Sequence, residues 1–265
     1  MNTPAPEHER PSTAAPAGQP ILSVEHVGLT LSQRCILQDI NLDLKAAEFM
    51  GLIGPNGGGK TSLLRVILGL LTPTTGRVTW RDPLTGGKPA IGYVPQRSVA
   101  DRNYPLRTLE IVMQGSKGAW PLYGGRARHV REQAVAVLRR VGMEAEADTP
   151  FAVLSGGQQR RALVARALMD DPKVLLIDEP TAGVDMRGQD QICSILRDLT
   201  RQGIAILLVS HDIPLIAEYA DRIACVYVAL HWHGAAHELT DEIVHEAYRC
   251  ELENYDASAH RRHSH

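Results

Sequence analysis

The apolar positions of this chain recur in two rhythms. Across residues 21–44 they alternate in short runs: Ile21-Leu22-Ser23-Val24, Val27-Gly28-Leu29-Thr30-Leu31, Cys35-Ile36-Leu37 and Ile40-Asn41-Leu42-Asp43-Leu44. A period of two predicts antiparallel strands with one buried face. Phe49-Met50-Gly51-Leu52-Ile53 is a short continuous apolar run and predicts a buried strand. The stretch 62–68 predicts a helix ended at Gly69. Beyond a turn at 72–76, Arg77-Val78-Thr79-Trp80 predicts another strand. A Gly- and Pro-containing loop at 81–89 separates it from the strand Ile91-Gly92-Tyr93-Val94, which stops at Pro95.

From Gln96 to Val153 the rhythm becomes helical. A helix starts over 108–113. Val130, Ala134, Val137, Leu138 and Val141 fall on one helical face, with Gly142 as the C-cap. The chain then alternates again. Lys173 to Asp178 is a near-continuous apolar run, as a strand covered on both faces requires. Ile192, Ile195, Leu196 and Leu199 mark a helix ended at Gly203, and 204–209 is a further buried strand. Such alternation predicts an α/β fold with a mainly parallel core sheet and helices on both faces.

The organisation follows. Residues 1–20, rich in Pro, Ala and Ser, read as a disordered tail. Residues 21–250 read as one domain, with an N-terminal antiparallel β subdomain and a helical subdomain inserted from about 97 to about 170. Residues 251–265 read as a His-rich flexible tail. With His231, His233, His237, His245, His260, His263 and His265 in the C-terminal segment, zinc binding there is the alternative to plain flexibility.

Composition narrows the function little. A chain of 265 residues, 44% hydrophobic and 22% charged, suits a soluble globular protein, and a net charge of −2 gives no global case for nucleic acid or an anionic membrane. Cys35, Cys193, Cys225 and Cys250 are widely spaced, against a disulfide framework or a thiolate zinc site. No apolar run approaches the roughly 20 residues that span a bilayer, and no signal segment opens the chain. If the protein works at a membrane, another chain is expected to do the spanning.

The chemistry lies at the boundaries between elements. Gly54-Pro55-Asn56-Gly57-Gly58-Gly59-Lys60-Thr61 fits G-x-x-x-x-G-K-[ST] between a predicted strand and a predicted helix. Glycines let successive N–H groups turn toward one anion, Lys60 adds a charge for the β and γ phosphates, and Thr61 adds a hydroxyl for Mg2+. Ile177-Asp178-Glu179-Pro180 places two carboxylates at a strand's C-terminal end. There Asp178 can hold Mg2+ and Glu179 can polarise an attacking water; the plain alternative is an acidic turn. Leu154-Ser155-Gly156-Gly157-Gln158 precedes a helix. A capping box explains Ser155 and Gln158 but not two adjacent glycines, which suit a second anion-binding helix start. His211 follows an apolar strand by one residue, where a γ-phosphate contact competes with a structural cap. Gln96 stands where the helical region begins and can reach Mg2+ as a hinge.

In this order the pieces resemble the ATP-binding-cassette (ABC) ATPases, over about 21–248. Gly54, Pro55, Asn56, Gly57, Gly58, Gly59, Lys60 and Thr61, with Ser62 beside them, look like the Walker A loop. Gln96 looks like the Q-loop, 154–158 the LSGGQ signature, and 174–178 with Glu179 the Walker B strand and catalytic glutamate. Ala182-Gly183-Val184-Asp185 looks like the D-loop and His211 the switch histidine. The resemblance implies ATP and Mg2+ as cofactors, with Thr61, Gln96 and Asp178 at the metal and Glu179, His211 and Gln96 at the chemistry. It also implies a head-to-tail pair of cassettes, with a second copy as partner. Each ATP is then sandwiched between one subunit's Walker A loop and the other's Ser155, Gly156, Gly157 and Gln158, near Asp185.

The finer likeness is to the branch powering zinc and manganese importers. It rests on 91–97, Asn103-Tyr104-Pro105-Leu106 leading to Thr108, 181–185, and His231-Trp232-His233-Gly234. That branch implies an integral-membrane permease, an extracytoplasmic substrate-binding protein acting indirectly, no nucleic acid, and a peripheral place on the cytoplasmic face. Tyr104, Leu106, Trp120, Leu122 and Tyr123 are the candidate permease-docking residues. The alternatives are an importer of another substrate such as an iron chelate, or a soluble ABC ATPase acting on nucleic acid or ribosomes. Two departures stand out. Leu31 occupies the position where the family usually stacks an aromatic on adenine, which predicts weaker affinity and little base selectivity. Ala47 replaces a usual Gly, which predicts a locally altered turn with function kept.

Overall fold

The computed structural model describes residues 19–96, 106–117, 125–181, 183–240 and 242–245. Residues 1–18 of the N-terminal tail, Tyr104, Trp120, Leu122, Tyr123, Ala182 and the His-rich residues after 250 lie outside them, while Pro20, read as tail, opens the first strand.

β1 (Pro20–Leu31) and β2 (Arg34–Lys45) pair antiparallel, and β4 (Thr75–Trp80) pairs antiparallel with β1's other edge. A second sheet has the order β5 (Ile91–Val94), β6 (Val174–Asp178), β7 (Ala205–Val209), β3 (Phe49–Ile53), β8 (Arg222–Tyr227), β9 (Ala229–Ala235). It is parallel except for the β8–β9 pair. Every residue of β3, β6 and β7 is buried, which is why these strands read as unbroken apolar runs.

Successive side chains divide between two cores. On one face Phe49, Ile53, Leu175, Ile177, Ile206 and Leu208 meet the helices α2 (Thr108–Met113), α3 (Gly125–Arg140), α4 (Gly156–Ala167), α5 (Met186–Arg201) and α6 (Ile213–Tyr219) in one apolar cluster. On the other face Met50, Leu52, Leu176, Leu207 and Val209 meet α1 (Lys60–Ile67) and the antiparallel sheet, through Leu22, Leu29, Ile40 and Leu44. Helices therefore stand on both faces, as expected, with α1 on the second. The second face is closed by one helix and a sheet, because the alternating apolar side chains of β1 and β2 need a partner of their own.

Val130, Ala134, Val137 and Leu138 are buried on α3, Val141 is buried just past its end, and Gly142 follows at φ 65°. Arg107 docks the start of α2 by a β-bridge to Pro150. The helices α2, α3 and α4 all lie between β5 and β6 in the chain.

His231 and His233 belong to β9, and His237 to a short 3-10 turn, so these histidines of the C-terminal segment are part of folded structure before the tail expected from 251. His231 Nε2 lies 3.0 Å from the Tyr227 carbonyl, and His233 sits against Arg222. Among the described residues no group of three or more potential ligands could hold a metal. Ala47 adopts φ 54°, the left-handed conformation natural to glycine, so the turn carries backbone strain. Ala47→Gly is accordingly expected to stabilise the fold by roughly 0.5–1 kcal/mol, relief of strain outweighing added unfolded-state entropy. Thermal unfolding would show a raised midpoint with ATPase rate unchanged.

No described helix is long and apolar enough to cross a membrane.

Candidate active site

The site is built on the C-terminal ends of three neighbouring strands. β3 runs into the loop 54–59, and α1 begins at Lys60 with Gly59 as its N-cap at φ 97°. Gly54 has φ 145°, and a Cβ there would lie 2.1 Å from the Val226 carbonyl oxygen; at Gly59 it would lie 2.8 Å from the Ile36 carbonyl oxygen. The loop is thus wedged between β8 and β2, with Val228 N donating to Gly58 O at 2.9 Å. Only Asn56 and Gly57 are exposed at its rim, and Ser62 is half-buried just inside α1. Lys60 is 5% exposed, and its ammonium donates to the Gly54 and Pro55 carbonyls at 2.7 and 2.8 Å. A cation held over a curled, glycine-rich backbone suits a polyphosphate.

Next to the loop, Asp178 ends β6, almost completely buried. Thr61 Oγ1 donates to its Oδ1 at 3.4 Å. Burial pushes the Asp178 carboxyl up; the Thr61 hydrogen bond opposes, the charge of Glu179 adds to the rise, and Arg65 and Lys60 oppose it. A hydroxyl and a carboxylate together form the hard oxygen set that Mg2+ takes. Burial likewise raises the Tyr93 phenol, with Asp178 adding to it.

Glu179 leaves the strand at φ 47°, a left-handed conformation uncommon for a glutamate, its N–H donating to Val209 O at 3.0 Å. The carboxylate is clasped from two sides. Gln96 Nε2 donates to Oε2 at 2.7 Å, and His211 Nδ1 lies 3.9 Å from Oε1. The Glu179 side chain is 14% exposed and that of His211 58%. Sequence reasoning named Gln96, Glu179 and His211 separately, as hinge, base and sensor; their convergence on one carboxylate depends on neighbouring strands β5, β6 and β7.

The signature segment forms a separate surface. Ser155 caps α4, accepting from Gln158 N at 3.3 Å, while Gln158 Oε1 accepts from Ser155 N at 3.0 Å. This is the reciprocal box that the spacing predicts. Ser155, Gly156, Gly157 and Gln158 line a cavity of about 330 Å3 with Gly183, Val184 and Asp185. Asp185 caps α5 by accepting from Gly188 N at 3.0 Å. None of residues 54–62 lines this cavity. Of the candidate docking residues, Leu106 is described, and it is half-buried against the helical core. Leu31 ends β1 with 42% of its surface exposed, available to a ligand face.

A residue the sequence left unremarked also belongs here. Arg160, on α4, is half-buried and donates from Nη1 to the Pro95 carbonyl at 3.5 Å. Its position five residues past Ser155 on a helix turned toward β5 was the available signal.

The geometry is that of a P-loop nucleotide site, and comparison with known proteins sets the class. The ABC transporter family profile matches residues 37–182. The zinc import ATP-binding protein ZnuC of Pseudomonas fluorescens is 39% identical over 78% of this chain and 73% of its own length. The zinc transport system ATP-binding protein TroB of Treponema pallidum is 36% identical over 86% of each. A solved inward-facing ABC transporter of metal-chelate type aligns with TM-score 0.77 and 27% identity, over 86% of this chain and 89% of that one. The chain belongs to the ABC transporter family. It is an ATP-binding cassette of α/β fold that hydrolyses ATP.

Proposed function

We propose that this cassette drives import of a transition metal, zinc before manganese, from the cytoplasmic face of a membrane. The observation that carries the chemistry is the Glu179 carboxylate held by Gln96 and His211 beside the Thr61–Asp178 pair. The cargo rests on the zinc-import names of the relatives. In this reading Lys60 and the amides of 54–61, with Ser62, bind the phosphates. Thr61, Asp178 and Gln96 would hold Mg2+, which neutralises charge on the phosphate oxygens. Glu179 orients the attacking water and takes its proton as the γ-phosphoryl leaves. His211 contacts the γ phosphate. Gln96 leaves Glu179 when nucleotide arrives, so the clasp reports site occupancy to the segment after β5.

The cavity at Ser155–Gln158 and Asp185 is apart from the phosphate loop, so a complete site takes a second copy placed head to tail. Closure on ATP and opening after hydrolysis is then a population shift, driven by contacts made only in the closed pair. An integral-membrane permease and an extracytoplasmic substrate-binding protein complete the assembly, and the cassette itself does not touch the metal.

The test is co-purification from membranes with ATPase assay. Recovery of a multi-span permease, with ATPase rising on addition of a zinc-loaded binding protein, supports the reading. A protein that stays alone and active, or arrives with nucleic acid, keeps the ATPase and removes the transport role. Leu31 gives a second expectation. An aliphatic face buries adenine without the stacking worth about 1 kcal/mol, so preference for ATP over GTP stays below about tenfold. Competition binding would measure it, and a larger preference would reject Leu31 as the base contact.

A further inference from the structure

We propose that Arg160 is a positioning residue for hydrolysis, tying helix α4 to Gln96 and Glu179 through the Pro95 carbonyl. The inference rests on the reading of Glu179 as the base. Arg160 sits on the helix whose first turn is Ser155–Gln158, so one rigid element carries both the signature surface and this guanidinium. The guanidinium is partly withdrawn from water, and no carboxylate among the described residues lies within ion-pair distance of it. Burial lowers its proton affinity, and the charge that offsets this is Glu179. Its described hydrogen bond goes to the carbonyl of Pro95, the residue before Gln96, whose amide holds Glu179 Oε2 at 2.7 Å.

A partly desolvated cation with no ion-pair partner among the described residues, in the field of the Glu179 carboxylate, is costly unless that field is used. Here it does two things. It anchors the backbone on which Gln96 pivots, and it draws Glu179 toward the side of the site facing α4. A shift of α4, the element that a second copy would press on, is thereby transmitted to the base without passing through the phosphate loop.

The experiment is steady-state ATPase of the full-length chain in the complex with which it purifies, for Arg160→Met, Arg160→Lys, Gln96→Ala and the Arg160→Met/Gln96→Ala pair. Met keeps the packing of the stem without the charge, and Lys keeps the charge. The expected result is a kcat about tenfold lower for Arg160→Met with KM for ATP within about twofold, and substantial recovery for Arg160→Lys. With Gln96→Ala already present, Arg160→Met should cost less than about twofold more, because the two act through one route. An unchanged kcat, an equal loss in both backgrounds, or a KM effect alone would overturn the proposal. If Arg160→Met fails to fold, Arg160→Gln, a neutral donor, carries the same expectations. Glu179→Gln serves as control: if it retains hydrolysis, the base assignment fails, whatever Arg160 does.

Discussion

Glu179→Gln is expected to lower the rate of ATP hydrolysis by a factor of about 10² to 10⁴ while nucleotide affinity stays within about twofold. The amide matches the carboxylate in size but has no site to receive a proton at neutral pH. Lys60, Thr61 and Asp178 are untouched, so binding persists. The strained backbone at φ 47° places the side chain between Gln96 and His211 whichever head group it carries. One of the two clasps changes character: Gln96 Nε2 now meets an amide and can pair with its oxygen alone. Single-turnover hydrolysis separates the chemical step from binding, and equilibrium nucleotide binding completes the comparison. A variant that hydrolyses at the wild-type single-turnover rate removes Glu179 from the mechanism; one that no longer binds nucleotide shows that its role is structural.

Arg222→Met is expected to destabilise the fold by about 3 kcal/mol at neutral pH, with the loss shrinking on acidification. Arg222 opens β8, and its guanidinium holds Asp43 Oδ1 at 3.0 Å and Glu48 Oε1 at 3.1 Å while contacting His233 on β9. It ties the last strand pair to the antiparallel sheet and to the turn before β3. Glu48 is 6% exposed, and removing its partner leaves one buried carboxylate with the Lys45 N–H as its remaining described donor. Burial alone would raise the Asp43 carboxyl, but the hydrogen bond and charge of Arg222 outweigh it and hold it below the ordinary 3.8. A lowered carboxyl stabilises the fold above its unfolded value and loses that contribution as pH falls through the folded one. His233 adds to the trend. Burial first, then the Arg222 charge, hold its imidazole below 6.5, so the wild type loses stability as pH drops beneath 6.5, and the variant loses less. Urea unfolding at pH 7.5, 5 and 3.5 should show the gap between the two proteins closing stepwise. A gap constant across that range would refute the electrostatic account.

The sequence was most informative where backbone geometry demands particular residues. Gly54 and Gly59 occupy conformations and close approaches that exclude a Cβ, so the loop declared itself. The buried strands did likewise, because β3, β6 and β7 are covered on both sides. Period two in β1 and β2 announced one buried face but not what covers it, since alternation carries no information about the opposite layer. The β8–β9 hairpin was missed for a different reason. Its single connecting residue is Val228 at φ 61°, a β-branched residue in a left-handed turn, where Gly, Asn or Asp would have signalled the reversal. With the hairpin hidden, His231 and His233 were grouped with the later histidines as a C-terminal set open to zinc. Helix α6 was hidden too: it is seven residues long, with Pro214 near its start and one fully buried side chain, Ile216.

The sheet also acts as a ruler. Glu179 N reaches Val209 O, and Ser210 N reaches Leu52 O, so the ends of β6, β7 and β3 are linked rung by rung. Strands so linked stand about 4.8 Å apart. The main-chain span from the end of β6, where Glu179 begins, to the loop after β3 is then about two rungs, roughly 10 Å, fixed by main-chain bonds. A substitution that slips β7 by one residue would turn every side chain of the strand to the opposite face and move His211 away from the carboxylate in the same step.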